Sequence, residues 1–123
     1  MRSDELSANP APREKEKLLG AVGICRKAGK LVTGTDAVCE ALAANRKPRA
    51  VFAASDVSGN TAKRLRDRCG YYGVELWVFP VTGEELARAV GKTGKCAAGA
   101  VTDEQLCRLL RGAYEKISMT TRD

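Results

Sequence analysis

Apolar positions along this chain change their spacing several times, and each change marks an element. From about Glu14 to Ala28, Leu18, Val22 and Cys25 recur on one helical face, and Gly29 supplies the stop. A short strand, Lys30–Thr33, leads through Gly34 to a second helix from about Thr35 to Asn45. Val38 and Leu42 point inward there, and Pro48 bars any continuation. An apolar run over 50–54 stops at Ser55-Asp56, and 50–55 reads as a buried strand. Ser58 then N-caps a helix over 58–70, with Thr61, Leu65 and Cys69 as its inward stripe. After Tyr71-Tyr72-Gly73, residues Val74–Phe79 read as a strand.

Two capping boxes follow. Thr82-Gly-Glu-Glu85 opens a short helix to Val90, with Leu86 and Val90 inward. Thr102-Asp-Glu-Gln105 opens the last helix, whose expected core stripe is Leu106, Leu109, Leu110, Ala113 and Ile117. Between them Cys96–Val101 reads as a strand of small residues. This alternation predicts an α/β fold, with helices on both faces of a mainly parallel or mixed sheet. Residues 1–13, with two prolines and little apolar content, read as a disordered tail. Residues 14–118 are expected to form a single domain, and 119–123 a short C-terminal tail.

Charge narrows the function. The net charge is +6, and residues 18–102 hold thirteen cations against seven anions, so both ends balance and the surplus is concentrated. Lys63, Arg64, Arg66 and Arg68 ride one helix with Asp67 as the only acid among them. Such a field attracts polyanions by steering and counterion release. The five cysteines lie at least eleven positions apart and the chain has no histidine, which argues against a zinc site and predicts reduced, buried thiols in a cytosolic protein. No metal or cofactor is expected. No apolar stretch is long enough for a membrane span, and the polar N-terminus does not read as a signal peptide.

Candidate chemistry is sparse. Gly91-Lys92-Thr93 imitates the end of a P-loop, but the required earlier glycine is Leu86, and a strand rather than a helix follows the lysine. GKTGK reads instead as a loop suited to phosphate contact through Lys92 and Lys95, or as an ordinary helix-to-strand turn. Without histidine, Ser-His-Asp and Cys-His arrangements are impossible, and no acid pair sits in an apolar setting. No enzymatic activity is expected. Phe52, Trp77 and Phe79 read as sheet core rather than as base-stacking platforms, which points to folded RNA recognised by shape, phosphates and base edges. Gly34-Thr35-Asp36 at a helix start offers backbone N–H groups and short polar side chains to such a ligand, and also fits a simple N-cap.

Together these blocks resemble the kink-turn-binding ribosomal protein superfamily, in its small bacterial YlxQ-like branch. The resemblance is carried by Leu18-Leu19-Gly20, Arg26-Lys27-Ala28-Gly29-Lys30, Val32-Thr33-Gly34 with Asp36, Ala53-Ala54-Ser55-Asp56, Asn60-Thr61-Ala62-Lys63, Asp67-Arg68-Cys69-Gly70-Tyr71-Tyr72, Gly91-Lys92 and Ala100-Val101-Thr102-Asp103. It covers about residues 15–117 in order and spacing. It implies a three-layer α/β/α sandwich around a small mixed sheet of about four or five strands. It also implies non-catalytic binding of kink-turn-like or ribosomal RNA by a monomeric, cytoplasmic protein. Carried over, the site that would dock at sheared G·A pairs is Gly34, Thr35, Asp36, Ala37 and Glu40. The loop covering an extruded nucleotide is Lys92, Thr93, Gly94, Lys95, Cys96 and Ala97. The archaeal pattern has Asn-Glu at the helix start and a lysine one turn later, whereas this chain has Asp36, Ala37 and Glu40. A carboxylate accepts hydrogen bonds but cannot donate them, so Lys30, Lys63 and Arg64 are expected to supply the phosphate attraction. Two other readings use the same fold: a protein-interaction adaptor, and the RNA-recognition subunit of an RNA-modifying enzyme.

Overall fold

The computed structural model describes residues 12–45 and 47–121, with side chains up to Ile117. The tail expected over 1–13 therefore lies outside the described residues except for Pro12 and Arg13, as do Arg46 and the last two residues. Among the described residues five helices and four strands follow one another: α1 (Pro12–Lys27), β1 (Leu31–Thr33), α2 (Thr35–Ala43), β2 (Ala50–Ala54), α3 (Gly59–Tyr72), β3 (Glu75–Phe79), α4 (Gly83–Ala89), β4 (Ala98–Val101) and α5 (Glu104–Thr121). α1 begins two residues before the expected Glu14, since proline is at home in the first helical position, where its missing N–H has no partner to lose. α5 runs past residue 118, where the expected domain ends.

Helix ends follow their local chemistry. After α1, Gly29 takes φ +72°, and the Lys30 N–H reaches back to the Cys25 carbonyl at 3.0 Å. Ser58 caps α3 by accepting from the Thr61 N–H at 3.1 Å. Thr82 and Glu85 form the reciprocal capping box of α4. At the second expected box a single cap stands instead: Asp103, not Thr102, caps α5, accepting from the Leu106 N–H at 3.0 Å, and Leu106 in the third position has no side chain to reciprocate. Asp and Thr are both good caps, and the sequence placed the stronger one second.

The strands form one mixed sheet in the order β1-β4-β2-β3. β2 pairs parallel with β3 and antiparallel with β4, which pairs antiparallel with β1. β2 is buried at all five positions, as its unbroken apolar run requires. Its side chains alternate between two cores. Ala50, Phe52 and Ala54 join α1, α4 and α5 on one face, while Val51 and Ala53 join α2 and α3 on the other. This is the expected three-layer arrangement.

Phe52 explains a glycine. A Cβ on Gly99 would stand 2.6 Å from the Phe52 ring and 3.2 Å from the Val32 carbonyl oxygen. The ring itself is fully buried and stacks on Phe79 at 4.8 Å. Gly99→Ala should therefore destabilise the fold by about 1–3 kcal/mol, as overpacking does. Chemical denaturation of the variant checks this, and an unchanged midpoint would show that the ring has room to move.

One expected core position is wrong. Leu109 is 43% exposed, whereas Cys107, Leu110 and Ile117 are buried and Leu106, Ala113 and Tyr114 pack against them. The apolar residues of α5 span more of its circumference than its core contact does. Leu109 lies roughly 120° around the helix from the centre of the buried stripe, at about 100° per residue.

Candidate nucleic-acid interface

The sheet topology gathers four connections at one end. β1, β2 and β3 finish there and β4 starts there, with Thr33 opposite Gly99, Ala53 opposite Ala98 and Ala54 beside Phe79. The β1–α2 turn and the loop before β4 become neighbours despite their distance in sequence. The Gly34 N–H donates to the Ala98 carbonyl at 2.9 Å, and the Lys92 ammonium donates to the Thr33 hydroxyl at 2.7 Å.

Gly34 is the N-cap of α2 with φ +100°, and no side chain caps the helix. Only glycine enters that backbone region without strain, and a Cβ there would meet open space, so the constraint is the turn rather than crowding. The simple N-cap alternative for Thr35 or Asp36 is thereby displaced. Asp36 lies in the first turn, where the helix dipole favours an anion. Its carboxylate is 85% exposed, and the Arg64 guanidinium of α3 reaches one of its oxygens at 2.9 Å. That hydrogen bond is the chief cause that raises the Arg64 pKa. Asp36, Glu40, Arg64 and Arg68 line one shallow depression between α2 and α3.

The loop over residues 91–97 is fixed at both ends. Gly91 (φ +74°) and Gly94 (φ +82°) provide its bends, the Lys92 N–H is held by the Ala87 carbonyl at 2.8 Å, and the Cys96 N–H by that of Gly83 at 2.9 Å. Asp56 anchors Gly83 in turn, accepting from its N–H at 2.9 Å. Thr93, Gly94 and Lys95 are left exposed at the tip.

The structure thus brings Gly34, Thr35, Asp36, Ala37, Arg64, Lys92 and the loop tip to one end of the sandwich. Other expected residues are placed differently. The Cys96 side chain is buried, with its thiol on the Ala98 carbonyl at 3.4 Å, so only its backbone belongs to the surface. Burial pushes its pKa up, opposed in part by the Ala98 backbone, the Lys92 charge and the Gly34 backbone. Lys63 pairs along its own helix with Asp67 at 2.8 Å. Lys30 lies at the opposite end of β1, where its carbonyl accepts from the Thr102 N–H. Thr33, which holds Lys92, and Arg26, whose guanidinium lies against Gly91, were not among the expected site residues. Arg26 stands in a run of cations in the sequence; Thr33 carries no such signal.

Two of the buried thiols are inert by environment. Burial lifts Cys25 and Cys69 to about 11, so both are protonated at neutral pH. Among the described residues no group of His, Cys, Asp and Glu could hold a metal ion, and no helix is long and apolar enough to cross a membrane.

The sequence pattern of the ribosomal protein L7Ae/L30e/S12e/Gadd45 family matches residues 16–110. The chain belongs to this family. Among its relatives is RNA-binding protein YlxQ of Enterococcus faecium, 34% identical over 82 residues, which are 66% of this chain and 77% of that protein. A solved structure from Bacillus halodurans C, described as a protein with unknown function, superposes with a TM-score of 0.72 at 29% identity, covering 80% of this chain and 97% of the other. The Giardia lamblia 15.5kD RNA binding protein shares the fold at a TM-score of 0.68 and 16% identity, over 91% of this chain and 93% of its own.

Proposed function

We propose that this chain is a non-catalytic, cytoplasmic RNA-binding protein that grips folded, kink-turn-like RNA, ribosomal RNA among the candidates, as a monomer. The observation that carries the reading is the hydrogen bond between Lys92 and Thr33. It joins the two segments expected to contact RNA, 59 positions apart along the chain, into one surface. The family's relatives include proteins named for RNA binding, and the net charge of +6 suits a polyanion.

Within this reading the two segments divide the work. The exposed N–H groups of the α2 start and the Asp36 carboxylate face base edges, where a carboxylate accepts from a guanine N–H or an amino group. Arg64 orients that carboxylate and offsets its charge, so that phosphates can approach despite Asp36 and Glu40. Lys92 and Lys95 meet the backbone.

The test is a pair of affinities, for a kink-turn and for a plain hairpin, measured with the melting temperature of each variant. Asp36→Ala should lower the kink-turn preference by about 1–3 kcal/mol, the range of good base-edge contacts. Its melting temperature should barely move, because Gly34 rather than Asp36 is the N-cap. Lys95→Ala should weaken both RNAs alike. If Asp36→Ala leaves the preference intact and Asp36→Asn does not improve it, the α2 tip is not the recognition site.

A further inference from the structure

Ile24 of α1 and Leu109 of α5 are large aliphatic residues left 51% and 43% exposed, and both line the same groove between the two helices. The groove has a volume of about 630 Å³ and is floored by Gly20, Ala21, Gly112 and Ala113. A Cβ on Gly20 or Gly112 would meet nothing within 4 Å, so the missing side chains leave an open trough. Its other lining residues are Lys17, Arg108 and Lys116, with no carboxylate among them. Arg108 is bonded by Glu104 one turn back at 3.1 Å, outside the lining. The trough shares no residue with the nucleic-acid interface.

We infer that this trough is a docking site for an acidic amphipathic helix of a partner protein. The floor is aliphatic and the rim is cationic, so the complementary occupant presents apolar side chains flanked by Asp or Glu. The lining spans Lys17 to Ile24 and Arg108 to Lys116, about two turns of each helix, so the occupant is a helix of roughly two to three turns. A second copy of this chain, seated groove to groove, would set the same cations against each other. RNA would lay phosphate over Ile24 and Leu109 instead of burying them. The position leaves the interface at the sheet end free, so a partner and an RNA can be held together.

The experiment uses the full chain and two synthetic helical peptides of about 14 residues, about four helical turns, with Leu at i, i+4, i+7 and i+11. One carries Glu at its flanking positions and the other Lys. The Glu peptide should bind with a dissociation constant in the range of about 10–100 μM, and the Lys peptide about tenfold or more weaker. Amide shifts should centre on Gly20, Ile24, Leu109 and Gly112. Leu109→Glu should weaken the Glu peptide about tenfold or more while leaving kink-turn affinity and melting temperature unchanged, because the residue is exposed. Gly112→Leu, which fills the trough, should do the same. Equal binding of the two peptides, no binding of either, insensitivity to both variants, or displacement of the Glu peptide by kink-turn RNA would each overturn the inference. Self-association of the chain abolished by Leu109→Glu would overturn it in favour of a second copy. The peptide affinities, the amide shifts and the effects of both variants on them do not depend on whether the chain recognises kink-turns.

Discussion

Affinity for a kink-turn RNA should fall about 10³-fold between about 50 and about 200 mM salt if the surface engages about six phosphates. The expectation follows from which cations are free to do so. Arg64 and Lys63 already hold carboxylates, Asp36 and Asp67, in the unbound protein. Such pairs are exposed and worth little, so phosphates can compete for them, but each releases less net charge than a solitary lysine. Lys92 donates to a neutral hydroxyl rather than to a carboxylate, and Lys95 stands exposed at the loop tip. Arg26 at Gly91 and Arg68 beside Glu40 extend the same surface. A titration series by fluorescence anisotropy checks the slope. A slope corresponding to only two or so phosphates would mean that Arg64 and Lys63 stay with their own acids, and would confine the phosphate contacts to the loop. The double variant Arg64→Ala with Asp36→Ala then separates the cases, because it removes the internal pair without changing net charge. A salt slope unaltered by it would assign no phosphate to Arg64.

Most of the fold was legible because its signals are local. Gly29, Ser58 and Thr82 punctuate the chain by rules that act within a few residues, and the structure places helix ends beside each, whereas α2 stops at Ala43, short of the expected Asn45 and of Pro48. The all-apolar run at 50–54 reads as a strand buried on both faces, and β2 is buried at all five positions. One local choice escaped: Thr102 and Asp103 are adjacent and both able to cap, and it is Asp103 that takes the Leu106 N–H. What else was not legible depends on partners far away in sequence. The salt bridge from Arg64 to Asp36 links two helices that carry no common motif, and the Thr33 hydroxyl is unremarkable until the sheet brings Lys92 to it. The same limit applies to the surface: Lys30 belongs by charge to the basic cluster, but the length of β1 separates it from Gly34. Cys96 sits within the expected loop, and its side chain turns inward because the β4 strand begins two residues later.

Leu110→Ala should destabilise the protein by about 2–5 kcal/mol, and Leu109→Ala by well under about 1 kcal/mol, although the two residues are adjacent and identical. The contrast is the direct measure of how α5 is rotated. Leu110 is fully buried in the core that α1, α4 and α5 build on the Phe52 face of the sheet. Removing its side chain leaves a cavity bounded by strands and helices that are fixed by their own pairing, so little collapse can offset the loss. Leu109 already meets solvent and lines the open trough with Ile24. Its truncation removes only partial burial, and alanine's higher helix propensity offsets some of that. Urea denaturation of the two variants, with the slope of each transition compared to wild type, separates lost stability from a changed unfolded state. If Leu109→Ala proved the costlier of the two, α5 would be turned by about a third of a revolution relative to this structure, and the exposed trough between α1 and α5 would be core.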